Sequence, residues 1–162
     1  MITLVPYQAS YYDALVSYDL DPQQVNFALT PKQILSNPAI LTKPLRKQYC
    51  ILYHGNPIGF FSLDLSDDRL IYTPNTSSIL LRALSINPQF QGKGIAKAAL
   101  LILPDFIQQL YPGIDEIVFG VNYENTAAYH LYLKTGYRDS GRTYQGVKGP
   151  QHCMFMNLAS HV

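Results

Sequence analysis

Tryptophan is absent from this 162-residue chain, cysteine occurs twice, and only 14% of the residues are charged. Each scarcity excludes something. Lys and Arg nearly balance Asp and Glu, for a formal net charge of +1, so the chain has no electrostatic footprint for nucleic acid or for an anionic membrane surface. Cys50 and Cys153 lack CxxC or Cys/His spacing, which indicates neither a metal site nor a redox pair; both read as reduced thiols within strands. No apolar run approaches the ~20 residues that span a bilayer, and Met1-Ile2-Thr3-Leu4-Val5-Pro6-Tyr7 has neither a basic n-region nor a long apolar h-region. The expectation is a soluble, cytoplasmic protein.

Apolar residues, by contrast, make up 48% of the chain, and there are 13 tyrosines. That is enough for one substantial core, and a single domain over residues 1–162 is expected, without internal repeats or low-complexity segments. Ile2 to Val5 reads as a first strand. Ser10 with Asp13 offers a helix start leading into Tyr11 to Tyr18, and Thr30-Pro31 a second, with Thr as N-cap and Pro in the first helical position. Gln48 to His54 and Ile58 to Leu65 form a hairpin about Gly55-Asn56-Pro57. Ser66 to Ser77 reads as loop, with room for a short strand at Leu70 to Thr73.

Ile79 to Ile86 is largely apolar and closed by Asn87-Pro88, as expected of a central buried strand. A helix follows toward Tyr111-Pro112-Gly113, and Pro104 predicts a kink or break near Leu103, because its ring removes one amide hydrogen bond. Asp115 to Asn122 is a strand, Thr126 to Lys134 a short helix capped by Gly136, and two strands lie around Tyr137 and over His152 to Leu158.

Between the buried strand and the helix stands Gln91-Gly92-Lys93-Gly94-Ile95-Ala96. Glycines there let the backbone turn tightly, so that successive amides and the positive end of the helix converge on an anion, a pyrophosphate being the obvious candidate. A Walker A loop would need a different glycine spacing and a hydroxyl after the lysine, and that reading fails. A dinucleotide fingerprint would need a small residue where Lys97 stands, although Asp115 and Glu116 could serve as its ribose acid. One helix later comes Asn125-Thr126-Ala127-Ala128-Tyr129-His130-Leu131-Tyr132-Leu133-Lys134-Thr135-Gly136-Tyr137, where residues 125, 128 and 132 share one helix face.

Gln91-x-x-Gly94-x-Ala96 resembles the Gln/Arg-x-x-Gly-x-Gly/Ala pattern of the GNAT superfamily of acyl-CoA-dependent N-acyltransferases. Asn125-x-x-Ala128-x-x-Leu131-Tyr132 ending in Gly136-Tyr137 resembles its second motif, and together the two cover roughly residues 79 to 137. The resemblance implies a mixed α/β (α+β) fold: a central, mostly antiparallel sheet flanked by helices, with a splayed parallel pair. It implies acetyl-CoA as cosubstrate, no metal, and direct transfer of acetyl to a primary amine in a ternary complex. By the same analogy the amides of Gln91, Gly92, Lys93, Gly94, Ile95 and Ala96 hold the CoA pyrophosphate. The strand end at Leu84, Ser85 and Ile86 pairs with the pantetheine and polarises the thioester carbonyl through a backbone amide. Asn125 contacts the cofactor chain, and Tyr132 donates a proton to the departing sulfur.

Relatives often carry a glutamate on the central strand as base, whereas Ile79 to Ile86 has no acid. Asp64 and Glu124 are the nearest candidates, each read first as a solvated loop charge. His130 falls on another helix face than Tyr132 and reads as surface or packing. An acyl-cysteine route through Cys50 or Cys153 lacks a histidine partner.

The acceptor walls implied are Asp19 to Thr30, with Asp19, Asp21, Gln23, Gln24 and Phe27, and the segment Arg142 to Gln151. Acids and tyrosines about a slot suit a cationic small amine or polyamine. A protein N-terminus or lysine is the alternative acceptor. A non-catalytic acyl-CoA sensor and a nicotinamide-dependent enzyme are rivals of other classes. The sheet edges also offer a surface on which two copies could pair as a homodimer.

Overall fold

The strand expected at Ile79 to Ile86 forms, and a sheet extends to either side of it. The computed structural model of the chain describes residues 1–20 and 29–158. Among these, β1 (Ile2–Pro6), β2 (Arg46–Tyr53), β3 (Asn56–Asp64), β4 (Ser78–Ile86), β5 (Glu116–Asn122), β6 (Arg138–Gly146) and β7 (Gly149–Asn157) follow the order β1-β2-β3-β4-β5-β7-β6. β1/β2, β5/β7 and β6/β7 are antiparallel; β4 and β5 are parallel. The helices are α1 (Tyr12–Val16), α2 (Pro31–Leu35), α3 (Pro38–Leu41), α4 (Ile95–Leu110) and α5 (Thr126–Lys134). This is the mixed sheet, flanked by helices and with one parallel pair, that the resemblance implies. The contacts gather into two compact units, Met1–Leu63 with Arg82–Ala99, and Asp64–Leu81 with Leu100–Val162, so that β4 and α4 contribute to both.

In the first unit, Leu15, Ile34, Ile40, Cys50 and Phe60 bring α1, α2, α3, β2 and β3 into one core. Full burial of an aliphatic or aromatic side chain such as Leu15 or Phe60 contributes about 1.5–3 kcal/mol. The helix read from Ser10 is shorter than expected. A 3₁₀ turn at Ala9–Tyr11 takes up Ser10, which therefore lies inside the turn rather than ahead of it, and no side chain caps α1. Thr30 does cap α2, in a reciprocal capping box with Gln33. The β2–β3 turn is centred on His54 and Gly55, not on Gly55-Asn56-Pro57. Both residues have positive φ (49° and 82°), as in the two-residue turns that match strand twist, and Asn56 and Pro57 already belong to β3.

Gly59 has a direct bearing on the site. A Cβ there would lie 2.9 Å from Ile51 Cδ1, 2.9 Å from Ile86 Cδ1 and 3.0 Å from Ile51 Cβ. Its absence lets Ile86, the last residue of β4, pack across β3, and the Asn87 amide donates to Ile58 O at 2.7 Å. The exit of β4 into the glycine turn is thereby fixed.

In the second unit Ser78–Leu80 pair with Glu116–Val118, β7 pairs antiparallel with β5, and β6 pairs antiparallel with β7 at the sheet's edge. The first tail strand begins after Tyr137, at Arg138, rather than around it, and the second begins at Gly149, ahead of the expected His152. Leu70 to Thr73 forms no strand: Asp67–Ile71 is a 3₁₀ segment capped by Ser66, and the Arg69 guanidinium gathers the carbonyls of Leu65, Ser66 and Thr76. Of the kink or break expected near Leu103, the break does not form: α4 runs on through Pro104. Pro104 cannot donate to Leu100 O, and the buried hydroxyl of Tyr137 donates to that carbonyl instead, at 3.1 Å.

Gly59→Ala is expected to lower the unfolding free energy by about 1–3 kcal/mol through overpacking, seen as a lower urea midpoint at unchanged slope. An unchanged midpoint would mean that Ile51 and Ile86 yield freely and that Gly59 does not constrain β4.

Candidate active site

In the first unit Asn87 caps the 3₁₀ turn Pro88–Phe90, and Gln91 leaves it in extended conformation (φ −70°, ψ 155°). Gly92 and Gly94 then take φ of 81° and 74°, where side-chain-bearing residues are strained, and the buried Ile95 opens α4. A Cβ on either glycine would meet nothing within 4 Å. Glycine is therefore required by backbone conformation rather than by crowding, and the approach to the turn is open. The first turn of α4 presents amides that have no acceptor within the helix, at the positive end of its dipole. This is the donor set a pyrophosphate needs, and the CoA diphosphate fits it. Lys93 Nζ lies 5.4 Å from the centroid of Phe90, a cation–π contact beside the turn.

Leu84, Ser85 and Ile86 occupy the end of β4, also in the first unit. The strand is buried at both ends but part-exposed at Arg82, Ala83 and Leu84, and Ala83 takes a left-handed φ of 57°. A left-handed residue within a strand redirects the backbone groups that follow. The sequence carries no signal for it. Ser85 is buried with its Oγ 3.5 Å from the hydroxyl of Tyr18, whose pKa burial pushes up to about 12. This hydroxyl pair lies outside the expected set, because Tyr18 is 67 residues away in sequence.

The second unit carries Asn125 and Tyr132. Asn125 is the N-cap of α5, its side chain accepting from the Ala128 amide at 3.4 Å. Tyr132, two turns on, lies against Phe119 of β5 with ring centroids 4.4 Å apart, and edge-on to Tyr137 at 6.0 Å. The side chain as a whole is part-exposed, yet burial of the hydroxyl pushes its pKa up to about 12. The hydroxyl is therefore un-ionised at any physiological pH.

Residues 11–137 match the acetyltransferase (GNAT) family. A protein of Bacillus subtilis (strain 168), the uncharacterized N-acetyltransferase YbbJ, is 37% identical over 151 residues, 93% of each chain. The chain belongs to the GNAT acetyltransferase family. Among solved structures, the aminoglycoside acetyltransferase AAC(6')-Ib with coenzyme A and kanamycin superposes with a TM-score of 0.78 at 19% identity, over 97% of this chain and 95% of that one. The spermidine N-acetyltransferase of Vibrio cholerae with CoA and spermine gives 0.73 at 16% identity, over 98% and 96%. As a GNAT acetyltransferase the protein is an acyltransferase, and acetyl-CoA is its cosubstrate.

Other residues singled out in the GNAT chain find structural employment. Asp64 is not a solvated loop charge: it is buried at the end of β3, and its Oδ1 accepts from the Ser66 amide at 2.7 Å. Glu124 and His130 are exposed. Asp115 and Glu116 tie down the preceding loop, Asp115 through Asn75 and Glu116 through Thr73 and Asn75. Cys50 and Cys153 are buried free thiols, and burial pushes Cys50 up to about 12, a poor state for a nucleophile. In the final hairpin Gln151 accepts from the Tyr72 hydroxyl at 3.0 Å, and the Arg142 guanidinium donates to Tyr72 O. Asp19 is exposed; Asp21, Gln23, Gln24 and Phe27 lie outside the described residues.

Gly94→Ala is expected to cost the free protein about 1–2 kcal/mol in backbone strain and to weaken acetyl-CoA binding roughly tenfold. Thermal unfolding and titration calorimetry read the two effects separately. Lost stability with unchanged affinity would exclude this turn as the pyrophosphate site.

Proposed function

We propose that this GNAT acetyltransferase moves acetyl onto the primary amine of a small, cationic molecule within a ternary complex, with Tyr132 as proton donor. The observation that carries the reading is the desolvated Tyr132 hydroxyl, raised to about 12 and held against Phe119. Acetyl-CoA, when bound, supplies an acetyl group activated as a thioester. The amides of Gln91 to Ala96 hold its pyrophosphate, and the backbone of Leu84 to Ile86, redirected at Ala83, takes the pantetheine and offers an amide to the carbonyl oxygen. Asn125 contributes toward the cofactor chain through the part of its amide group not used in the cap.

The protons balance without a dedicated acid or base of matched pKa. The amine loses one proton as its nitrogen bonds to the carbonyl carbon, the carbon–sulfur bond breaks, and the sulfur gains one from Tyr132. Tyr132 is restored from the proton the amine released. β4 carries no carboxylate and Asp64 is committed to the Ser66 amide, so the amine arrives neutral or loses its proton to water. Support for a small cationic acceptor comes from two neighbours of the same fold, whose structures hold kanamycin and spermine.

The test is incubation with acetyl-CoA and a panel of small amines, polyamines and short peptides, with product read by mass spectrometry. Tyr132→Phe is expected to lower kcat by ~10² to 10⁴ with little change in acetyl-CoA affinity. Unchanged turnover removes Tyr132 from the chemistry, and product on peptides alone moves the acceptor class to protein amines. Because the hydroxyl is raised to about 12, protonated tyrosine is lost only as pH rises through that value. The kcat profile should therefore show no fall on its alkaline side up to about pH 10, whereas a fall near the ordinary tyrosine value would show the hydroxyl to be solvated.

A further inference from the structure

α5 carries the proposed donor, yet none of its nine residues is fully buried. A helix without a buried apolar stripe needs other means to hold its position. Asp139 on β6 supplies them. Its Oδ2 accepts from the Tyr129 hydroxyl on α5 at 2.9 Å and from His152 Nδ1 on β7 at 3.1 Å, while its Oδ1 accepts from the Gly141 amide at 2.9 Å. The His152 ring lies between two tyrosines. Tyr123, just ahead of α5, stacks on it at 4.1 Å and 17°, and Tyr129 leans on it at 4.2 Å and 30°. The Tyr123 hydroxyl is hydrogen-bonded to Thr143 of β6. Burial alone would raise the Asp139 carboxyl, but the Gly141, Tyr129 and His152 donors outweigh it and hold the carboxyl below its ordinary value.

We infer that Asp139, with His152 and Tyr129, is a positioning latch that docks the first turns of α5 on β6 and β7 and so fixes where Tyr132, one turn beyond Tyr129, presents its hydroxyl. The inference rests on Tyr132 being the donor. Tyr129 is three residues before Tyr132, so both project from neighbouring turns of one rigid helix. A shift of the Tyr129 end is carried to the Tyr132 hydroxyl, and a misplacement of about 1 Å in a reacting group costs up to ~100-fold in rate. The latch also accounts for the two exposed-side aromatics Tyr123 and Tyr129, which the family motif does not require.

The test uses Tyr129→Phe, which deletes one hydroxyl and keeps the ring on His152, and Asp139→Asn, each alone and combined with Tyr132→Phe. Three quantities are measured: kcat, the acetyl-CoA dissociation constant by calorimetry, and amide hydrogen exchange of residues 126–134 in the free protein. Each latch variant is expected to lower kcat about tenfold, leave the dissociation constant within about twofold, and speed exchange in α5. In the Tyr132→Phe background neither should lower kcat further, because the group they position is gone. An equal loss in that background, or a loss confined to acetyl-CoA affinity, overturns the latch. Full activity in Tyr132→Phe itself overturns the donor reading and the latch with it, and faster α5 exchange in Asp139→Asn would then mark a purely structural tie.

Discussion

Proline in a helix leaves one carbonyl without its partner, and in α4 that carbonyl is Leu100 O. The aromatic packing beneath Tyr132 is arranged about its satisfaction. Tyr137 brings its hydroxyl to it through the interior, at 3.1 Å, and is itself only 1% exposed. An unpaired buried carbonyl or an unpaired buried phenol would each cost roughly 1–3 kcal/mol, so the two groups resolve each other. Once committed, the Tyr137 ring stands edge-on to Phe119 at 5.4 Å and to Tyr132 at 6.0 Å, and Gly136 turns the chain into it with φ of 98°. The Tyr137 amide also donates to Tyr132 O at 3.1 Å, finishing α5. The Gly136-Tyr137 pair that reads in sequence as the tail of a family motif thus has a structural job, which is to seat the floor on which Tyr132 rests.

The first unit depends on backbone conformation in a different way. Five of its described residues adopt the left-handed region: His54 and Gly55 at a strand turn, Ala83 within a strand, and Gly92 and Gly94 at the glycine turn. For an L-residue that region costs about 1–2 kcal/mol. Three of the five positions are glycine, where the cost vanishes. At Ala83 it does not, and strain of this kind beside the strand end proposed to take the cosubstrate is where function tends to keep it. Gly59 is a glycine of another kind, required by the close approach of Ile51 and Ile86 rather than by φ.

Legibility followed the range of the interactions. The Thr30 N-cap, the span of α5 and the cap at Gly136 are set by residues within a few positions of one another, and they could be read directly. The 66–77 segment could not, because its shape is set by one arginine reaching three carbonyls and by Asn75 bonding acids some forty residues away. Pro104 misleads for the same reason: the local rule is right about the lost bond, and the rescue comes from 37 residues further on. In the candidate site, the glycine turn and Tyr132 were visible as motif, whereas Asp139 and His152 meet only through the β6–β7 register, which slips between Asp139 and Thr143. No periodicity in either strand forecasts that irregularity.

A chain with few charges is a natural host for this chemistry. Thioester aminolysis starts and ends with the same number of protons on the reacting partners, so it demands no strong acid or base, only donors in place and a nitrogen that arrives neutral. In the proposed site the donors are backbone amides at a helix start and at the end of β4, with one neutral phenol, groups that cost no ionised side chain. What such a design must supply instead is rigidity, because a neutral donor gains its effect from position rather than from field strength. That accounts for where the polar residues of the second unit are used. Asp139, Asp115, Glu116 and Asn75 all tie backbone segments and helices in place, and in the proposed mechanism the reacting atoms are left to groups without formal charge.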